Sequence, residues 1–315
     1  MFGNEFTPKS LIDLKNITPD KLLLFFQTIK NENQFNETSK ENFVKEKKSI
    51  DLNFKNKTAA LIFLESSTRT RFSFETACIA NGIYPMILDG SKGTSLEKGE
   101  TILDTLKNLE AMKPLFFIIR CQQSEDLKCL SELIKTPIIN AGWGVTGHPT
   151  QALLDFFTLF QKWDELRGKK ILYIGDIKHS RVVQSHREMA NIFGIQMGLC
   201  TSKSFLPDWH LETENFDDIQ KGIKWADAIY LLRVQKERHF EEMKFDIDKF
   251  QFKNEHLKLL TEQKFILHPG PINFGVELEA GLDMAPQSLI YKQVENGVLV
   301  RKQIIKSYLN SREIF

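Results

Sequence analysis

Four hydroxyls and two guanidinium groups fall within the seven residues Glu65-Ser66-Ser67-Thr68-Arg69-Thr70-Arg71. The stretch lies between an apolar run, Ala59 to Leu64, and a helical pattern, Phe72 to Asn81, so a strand feeds a helix through a turn rich in donors. The first turn of a helix leaves N–H groups without intrahelical acceptors, and the aligned peptide dipoles place partial positive charge there. Ser67, Thr68 and Thr70 add short hydroxyl donors, and Arg69 or Arg71 adds a planar fork that matches phosphate oxygens. The chemistry this pattern supports is capture of a phosphate. The competing reading is a Ser/Thr cap followed by two solvated arginines, and the stretch alone leaves both open.

Other charged residues recur at equivalent places. Arg120 ends the apolar run Leu115 to Ile119, Gly175-Asp176 and Arg181 follow the run Lys170 to Ile174, Arg233 follows Ala228 to Leu232, and His268-Pro269 follows Lys264 to Leu267. Each run reads as a strand, and in open parallel α/β sheets ligands bind beyond the carboxyl ends of the strands. Two such sheets facing each other would line one cleft with Arg69, Arg120, Arg181 and Arg233, which suits two anionic substrates. No G-K-[ST] occurs, which argues against a nucleoside triphosphatase.

The elements that must position these groups alternate along the chain. Thr18-Pro19-Asp20 starts a helix on which Leu22, Phe25, Phe26 and Ile29 recur at helical spacing, and the polar, lysine-rich segment Asn31 to Lys57 reads as a solvated connector. Gly82 stands where a left-handed residue would end the cradle helix, and Tyr84 to Leu88 reads as the next strand. The loop Asp89 to Lys98 leads through Gly99-Glu100-Thr101 into a helix with Ile102, Leu106, Leu109 and Met112 on one face. A helix over Ser124 to Lys135 and a strand over Pro137 to Asn140 precede the glycine-rich turn Ala141-Gly142-Trp143-Gly144. The second half repeats the alternation from His148 onward, with a further strand at Ile195 to Cys200, and ends in a helical pattern from Val294 to Leu309.

The expected fold is therefore α/β, with two doubly wound parallel-sheet domains and the active site in the cleft between them. Residues 1-147, joined by the C-terminal helix 290-315, form the first domain, and residues 148-289 form the second.

Composition agrees with this size and class. At 315 residues the chain exceeds one typical core, and 42% hydrophobic with 26% charged residues describes a globular protein. A net charge of +1 provides no broad basic field, so a small anion held by a local cluster is expected and nucleic acid is not. Cys78, Cys121, Cys129 and Cys200 show no C-x-x-C pair and no zinc spacing; they read as reduced, buried thiols, and no metal or cofactor is expected. No apolar run approaches the roughly 20 residues that cross a bilayer, and Met1 to Ser10 carries no secretory segment, so a cytoplasmic location without membrane association is expected.

Taken in order, Ser67-Thr68-Arg69-Thr70-Arg71 with Ser73-Phe74-Glu75, Lys98-Gly99-Glu100-Thr101, His148-Pro149-Thr150-Gln151, Gly175-Asp176, Leu232-Arg233-Val234-Gln235-Lys236-Glu237-Arg238 and His268-Pro269-Gly270-Pro271 make a family pattern. The chain resembles the aspartate carbamoyltransferase family, and the resemblance covers nearly its whole length. The cradle and His-Pro-x-Gln elements are common to all transcarbamylases, whereas Arg-Val-Gln-Lys-Glu-Arg points to the aspartate branch. The Ser-Met-Gly and His-Cys-Leu-Pro expected of an ornithine enzyme are not present.

The resemblance implies a first domain for carbamoyl phosphate and a second for L-aspartate. Ser67, Thr68, Arg69 and Thr70 would hold the phosphate with Arg120, and His148, Arg120 and Thr70 would address the carbamoyl oxygen. Gln151 and the carbonyls of Pro269 and Gly270 would accept from the carbamoyl amide, with a cis bond before Pro271. Arg181, Arg233 and Gln235 would receive the aspartate carboxylates. Thr94, Ser95 and Lys98 resemble the loop that reaches a neighbouring subunit's site, implying a homotrimer with shared sites, in the family sometimes joined by regulatory chains or a dihydroorotase. Two departures stand out: Ser66 occupies a position usually held by proline, and Phe274 one usually held by arginine. The alternatives are a transcarbamylase for another amino acid such as ornithine, or an inactive anion-binding paralogue that serves as an assembly subunit.

Overall fold

The computed structural model describes residues 9–38, 57–90, 92–234 and 246–310. The chain divides into two compact units, one made of Met1–Leu153 with Gly297–Phe315 and the other of Leu154–Asn296.

In the first unit the strands β1 (Thr58–Phe63), β2 (Tyr84–Asp89), β3 (Phe117–Cys121) and β4 (Ile138–Trp143) pair in parallel in the order β2-β1-β3-β4. β1 and β3 are near-continuous apolar runs, as expected of central parallel strands covered on both faces, whereas the edge strand β2 is half exposed. The helices are α1 (Pro19–Thr38), α2 (Thr68–Ala80), α3 (Ile102–Ala111), α4 (Leu127–Leu133) and the first turns of α5 (Pro149–Trp163). Local signals fix where they begin: Thr101 Oγ1 accepts from the Asp104 amide at 3.1 Å, and Asp126 Oδ1 accepts from those of Lys128 and Cys129 at 3.0 and 3.1 Å. Ala60, Ile62, Phe117, Ile119 and Ile138 pack with Leu106, Leu127 and Leu130 to form one core cluster.

Four details differ from the sequence reading. α1 continues through Asn31 to Thr38, part of the expected connector, and the ion pair of Lys306 with Glu32 at 2.6 Å anchors this polar extension; residues 39–56 lie outside the described residues. β4 does not stop at Asn140 but runs to Trp143, because a register shift between Ile119 and Cys121 lets the pairing resume as Cys121 with Trp143. Arg120 lies within β3 rather than beyond it. Cys129 is exposed on α4, while Cys78, Cys121 and Cys200 are buried.

The second unit holds β5 (Lys170–Gly175), β6 (Gln196–Cys200), β7 (Glu214–Phe216), β8 (Ala228–Leu232) and β9 (Phe265–Leu267), all parallel in the order β7-β6-β5-β8-β9. Its helices are the remainder of α5 from Leu154, α6 (Arg181–Phe193), α7 (Ile219–Trp225), α8 (Ile247–Phe250) and the start of α9 (Ile290–Leu309), which returns the chain to the first unit. β7 was not legible as a strand, since Glu214 and Asn215 are exposed and only pairing with Gly198 to Cys200 defines it. Leu172, Ile174, Ile229, Leu231 and Ile266 pack with Ile219, Ile223 and Phe252 in the core.

His256 tests one part of this packing by pH. Its ring is 4% exposed, and Nδ1 accepts from the Lys253 amide at 2.9 Å, which requires an unprotonated nitrogen. Burial lowers its pKa from the ordinary 6.5. Folding then favours the neutral ring, so the contribution is complete above about pH 6.5 and is lost as pH falls through the folded-state pKa. His256→Asn keeps an acceptor without titrating; urea unfolding free energies between pH 7 and 5 should fall less steeply in this variant than in the native protein.

Candidate active site

Each sheet reverses the direction in which strands are added. After β1 the chain builds β2 on one side and then crosses to place β3 on the other; β5 is flanked in the same way by β6 and β8. The connections leave opposite faces at these two points, so the carboxyl ends of β1/β3 and of β5/β8 are the open edges of their sheets.

At the first edge Phe63 of β1 stands opposite Arg120 of β3, and the Leu64 amide donates to the Arg120 carbonyl at 2.8 Å. The half-buried Arg120 guanidinium lies 3.7 Å from Glu65 Oε2. Ser67 occupies the cap position of α2 with extended backbone, φ −160° and ψ 98°, yet its side chain makes no capping bond. That finding removes the Ser67 cap reading. Thr68 and Arg69 are exposed and Thr70 is buried, so the stretch runs from solvent into the protein at the start of α2. Arg71 has another role: it pairs with Glu75 at 3.2 Å and with Asp89. Burial, with Glu75 contributing, pushes the Cys78 thiol up to about 12, which leaves no thiolate nucleophile on this helix at neutral pH.

His148 is buried just ahead of α5, where its carbonyl accepts from the amides of Gln151 and Ala152 at 3.0 and 3.2 Å and Pro149 takes the first helical position. Gln151 is also buried. Ser95 and Lys98 lie on a single exposed turn, Ser95–Lys98, that ends in Gly99 at φ 93°. The rest of the Lys-Gly-Glu-Thr motif builds α3: Glu100 Oε1 accepts from Thr105 Oγ1 at 2.6 Å and Thr101 caps the helix.

At the second edge Gly175 pairs with Leu232 at φ 117°, and a Cβ there would overlap the Leu232 carbonyl, so only glycine permits this approach. Asp176 is fully buried and binds His179 Nδ1 at 2.8 Å. Ser180 caps α6, which makes Arg181 its first residue, half-buried, and Arg233 follows β8 directly, also half-buried. Gln235 lies outside the described residues.

Beyond β9 the loop His268-Pro269-Gly270-Pro271 contains a cis Gly270–Pro271 bond. His268 is buried; Nδ1 accepts from the Gly270 amide at 2.8 Å and Nε2 lies 3.3 Å from Glu277 Oε1, which also accepts from the Asn273 amide at 2.6 Å. Asn273 Nδ2 donates to the Val234 carbonyl at 3.2 Å, so this loop braces the segment that carries Arg233. Phe274 is 49% exposed, with no charge to replace that of the usual arginine.

The sequence reading missed what holds the loop from behind. The His268 amide donates to Gln293 Oε1 at 2.9 Å, while Gln293 Nε2 donates to Asp155 Oδ1 at 2.7 Å. Asp155 Oδ2 also accepts from Tyr230 Oη at 2.6 Å and His186 Nε2 at 2.9 Å, and Tyr173 Oη lies 3.0 Å from His186 Nδ1. With the histidine proton on Nε2 and Tyr173 donating to Nδ1, each of these contacts pairs a donor with an acceptor. Burial, followed by Asp155, raises the Tyr173 pKa well above its ordinary value, so this hydroxyl keeps its proton.

Residues 9–161 match the family model described as "Aspartate/ornithine carbamoyltransferase, carbamoyl-P binding domain", and residues 167–308 match "Aspartate/ornithine carbamoyltransferase, Asp/Orn binding domain". The chain is 39% identical over 254 residues to the aspartate carbamoyltransferase catalytic subunit of Aquifex aeolicus, covering 79% of this chain and 87% of that one. Its backbone is similar to aspartate transcarbamoylase from Trypanosoma cruzi in complex with carbamoyl phosphate and aspartate, with TM-score 0.85, 23% identity and coverage of 96% and 97% of the two chains. It is also similar to ornithine carbamoyltransferase from Thermus thermophilus, with TM-score 0.79, 27% identity and coverage of 96% and 99%. The chain belongs to the aspartate/ornithine carbamoyltransferase family. The shared backbone does not separate the aspartate and ornithine branches.

The bridge through Gln293 carries a measurable load. Gln293→Leu leaves the His268 amide and one Asp155 oxygen without their partner, each costing about 1–3 kcal/mol. Urea unfolding of this variant should show a loss of at least about 2 kcal/mol, with faster hydrogen exchange at the His268 amide.

Proposed function

We infer that this chain is the catalytic chain of an aspartate carbamoyltransferase, which moves the carbamoyl group of carbamoyl phosphate to the amine of L-aspartate and yields N-carbamoyl-L-aspartate and phosphate, an early step of pyrimidine synthesis. The observation that carries this reading is the placing of cationic groups at both sheet reversals, the cradle with Arg120 at one and Arg181 with Arg233 at the other, in a chain 39% identical to the Aquifex aeolicus catalytic subunit.

In this reading the first unit takes carbamoyl phosphate. Ser67, Thr68, Arg69, Thr70 and Arg120 hold its phosphate, and Thr70, Arg120 and His148 donate to the carbamoyl oxygen. Gln151 and the carbonyls of Pro269 and Gly270 accept from its amide. Arg181, Arg233 and Gln235 take the two carboxylates of aspartate, which suits a dicarboxylate and repels the side-chain ammonium of ornithine. The aspartate amine forms a bond to the carbamoyl carbon, negative charge gathers on the carbonyl oxygen, and the carbon–oxygen bond to phosphate breaks as the charge returns. The amine proton leaves with the phosphate. Fixed donors aimed at that oxygen stabilise the transition state, about 10²–10³ in rate for one donor, and holding two substrates together supplies further acceleration.

The proposed assembly is a homotrimer in which Ser95 and Lys98 serve a neighbour's site. Two observations support it. Lys98 is exposed on a turn of its own, and Phe72 and Ile79, seven residues apart on one side of α2, are 51% and 65% exposed, apolar surface suited to a second copy. The cytoplasm is the compartment proposed, supported by free thiols at Cys78, Cys121, Cys129 and Cys200.

A colorimetric assay of carbamoyl aspartate tests the activity: aspartate should be carbamoylated and ornithine should not. Arg233→Ala should raise the aspartate KM about ten- to a hundredfold, the loss of one charged hydrogen bond. Comparable turnover with ornithine overturns the substrate. For the shared site, Arg69→Ala and Lys98→Ala proteins should each be nearly inactive and should regain activity when dissociated and reassembled together, since some sites then hold both native residues. Folded mixed trimers without activity would place Lys98 in its own chain's site.

A further inference from the structure

Resting on the carbamoyltransferase reading above, we propose that Arg301 is a positioning residue that sets the phosphate cradle against the donors of the carbamoyl oxygen. Arg301 lies on α9 and is 3% exposed. Its Nη1 donates to Ser73 Oγ at 2.6 Å and its Nη2 to Thr150 Oγ1 at 3.5 Å, and the guanidinium carbon sits 5.0 Å from the centre of the Phe74 ring. Ser73 Oγ donates in turn to the Thr70 carbonyl at 3.1 Å. Thr70 is the buried end of the cradle, and Thr150 stands between His148 and Gln151. One planar group therefore joins the second turn of α2 to the first turn of α5, the two helices that carry the proposed phosphate and carbamoyl ligands.

The geometry favours a guanidinium over an ammonium. Two hydroxyls on different helices are reached by the two ends of one rigid fork, so the fork fixes the spacing of the helices, whereas a lysine offers one point charge on a flexible stem. α9 also grips the far end of α2, where Asn81 Nδ2 donates to the Lys302 carbonyl at 3.2 Å. Arg301 at Ser73 and Lys302 at Asn81 thus hold α2 at two points along α9, which restrains it against sliding along its axis. An error of about 1 Å between reacting groups costs about 10²-fold in rate, so a residue that touches no substrate can act strongly through this spacing.

A double-mutant cycle separates positioning from general support. Arg301→Met should lower kcat about 10- to 100-fold, and Arg301→Lys should restore part of it. If Arg301 acts through the placement of His148, the same Arg301→Met change made on His148→Ala should lower kcat by less than about threefold further. Equal fold losses in both backgrounds overturn the proposal, as does an unchanged kcat in folded Arg301→Met. Should Arg301→Met not fold, Thr150→Val removes only the hydroxyl at the α5 end; kcat should fall about fivefold and the loss should vanish on His148→Ala. An unchanged kcat in Thr150→Val then overturns the proposal. A native protein that makes no carbamoyl aspartate removes the functional reading and this proposal with it, whereas an active native protein with an additive cycle removes the role of Arg301 alone.

Discussion

Parallel strand pairing that changes direction decides where chemistry can sit in this protein. At β1/β3 and at β5/β8 the following helices leave on opposite faces, so nothing in either sheet covers those strand ends. Two backbone relations fix the geometry: the Leu64 amide on the Arg120 carbonyl, and Gly175 opposite Leu232. The cradle, Arg120 and Arg233 lie within a few residues of these pairs. A slip of one residue in β3 would turn Arg120 to the other face of the sheet, so the register that buries Ile118 and Ile119 also sets the face on which Arg120 lies.

Buried polar groups then make the strand-end loops rigid. A carboxylate taken out of water is costly unless its oxygens are satisfied, and Asp155 accepts from Tyr230, His186 and Gln293. The return is positional, since the same Gln293 amide holds the His268 backbone and Glu277 holds the next turn at Asn273. Arg301 does comparable work in the first unit, where one buried fork meets hydroxyls on two helices.

Much of this was legible in the chain because it is locally encoded. Continuous apolar runs mark the central strands, Pro19, Pro149 and Thr101 mark helix starts, and Gly82 at φ 75° ends α2 as its position suggests. The errors fall where a neighbour overrides local pattern. β7 exists through its pairing with β6, β4 continues to Trp143 through a register shift against β3, and the polar end of α1 is anchored from α9 by Lys306. Cys129 has the same local context as the buried thiols but falls on the solvent side of α4.

The sequence by itself determined the alternation of strand and helix, the donor-rich turn at 66–71, and the order of motifs that marks the family, because each depends on residues close together in the chain. The tertiary structure alone decided that the Ser67 side chain makes no capping bond, that Arg71 also pairs with Asp89, that Arg301 reaches Ser73 and Thr150, and that Gln293 holds the His268 amide. Arg301 is 228 residues from Ser73 and Gln293 is 138 from Asp155. Contacts across such separations are set by where α9 finally packs, and no periodicity or spacing within a segment encodes which distant hydroxyl or carboxylate a buried side chain will meet.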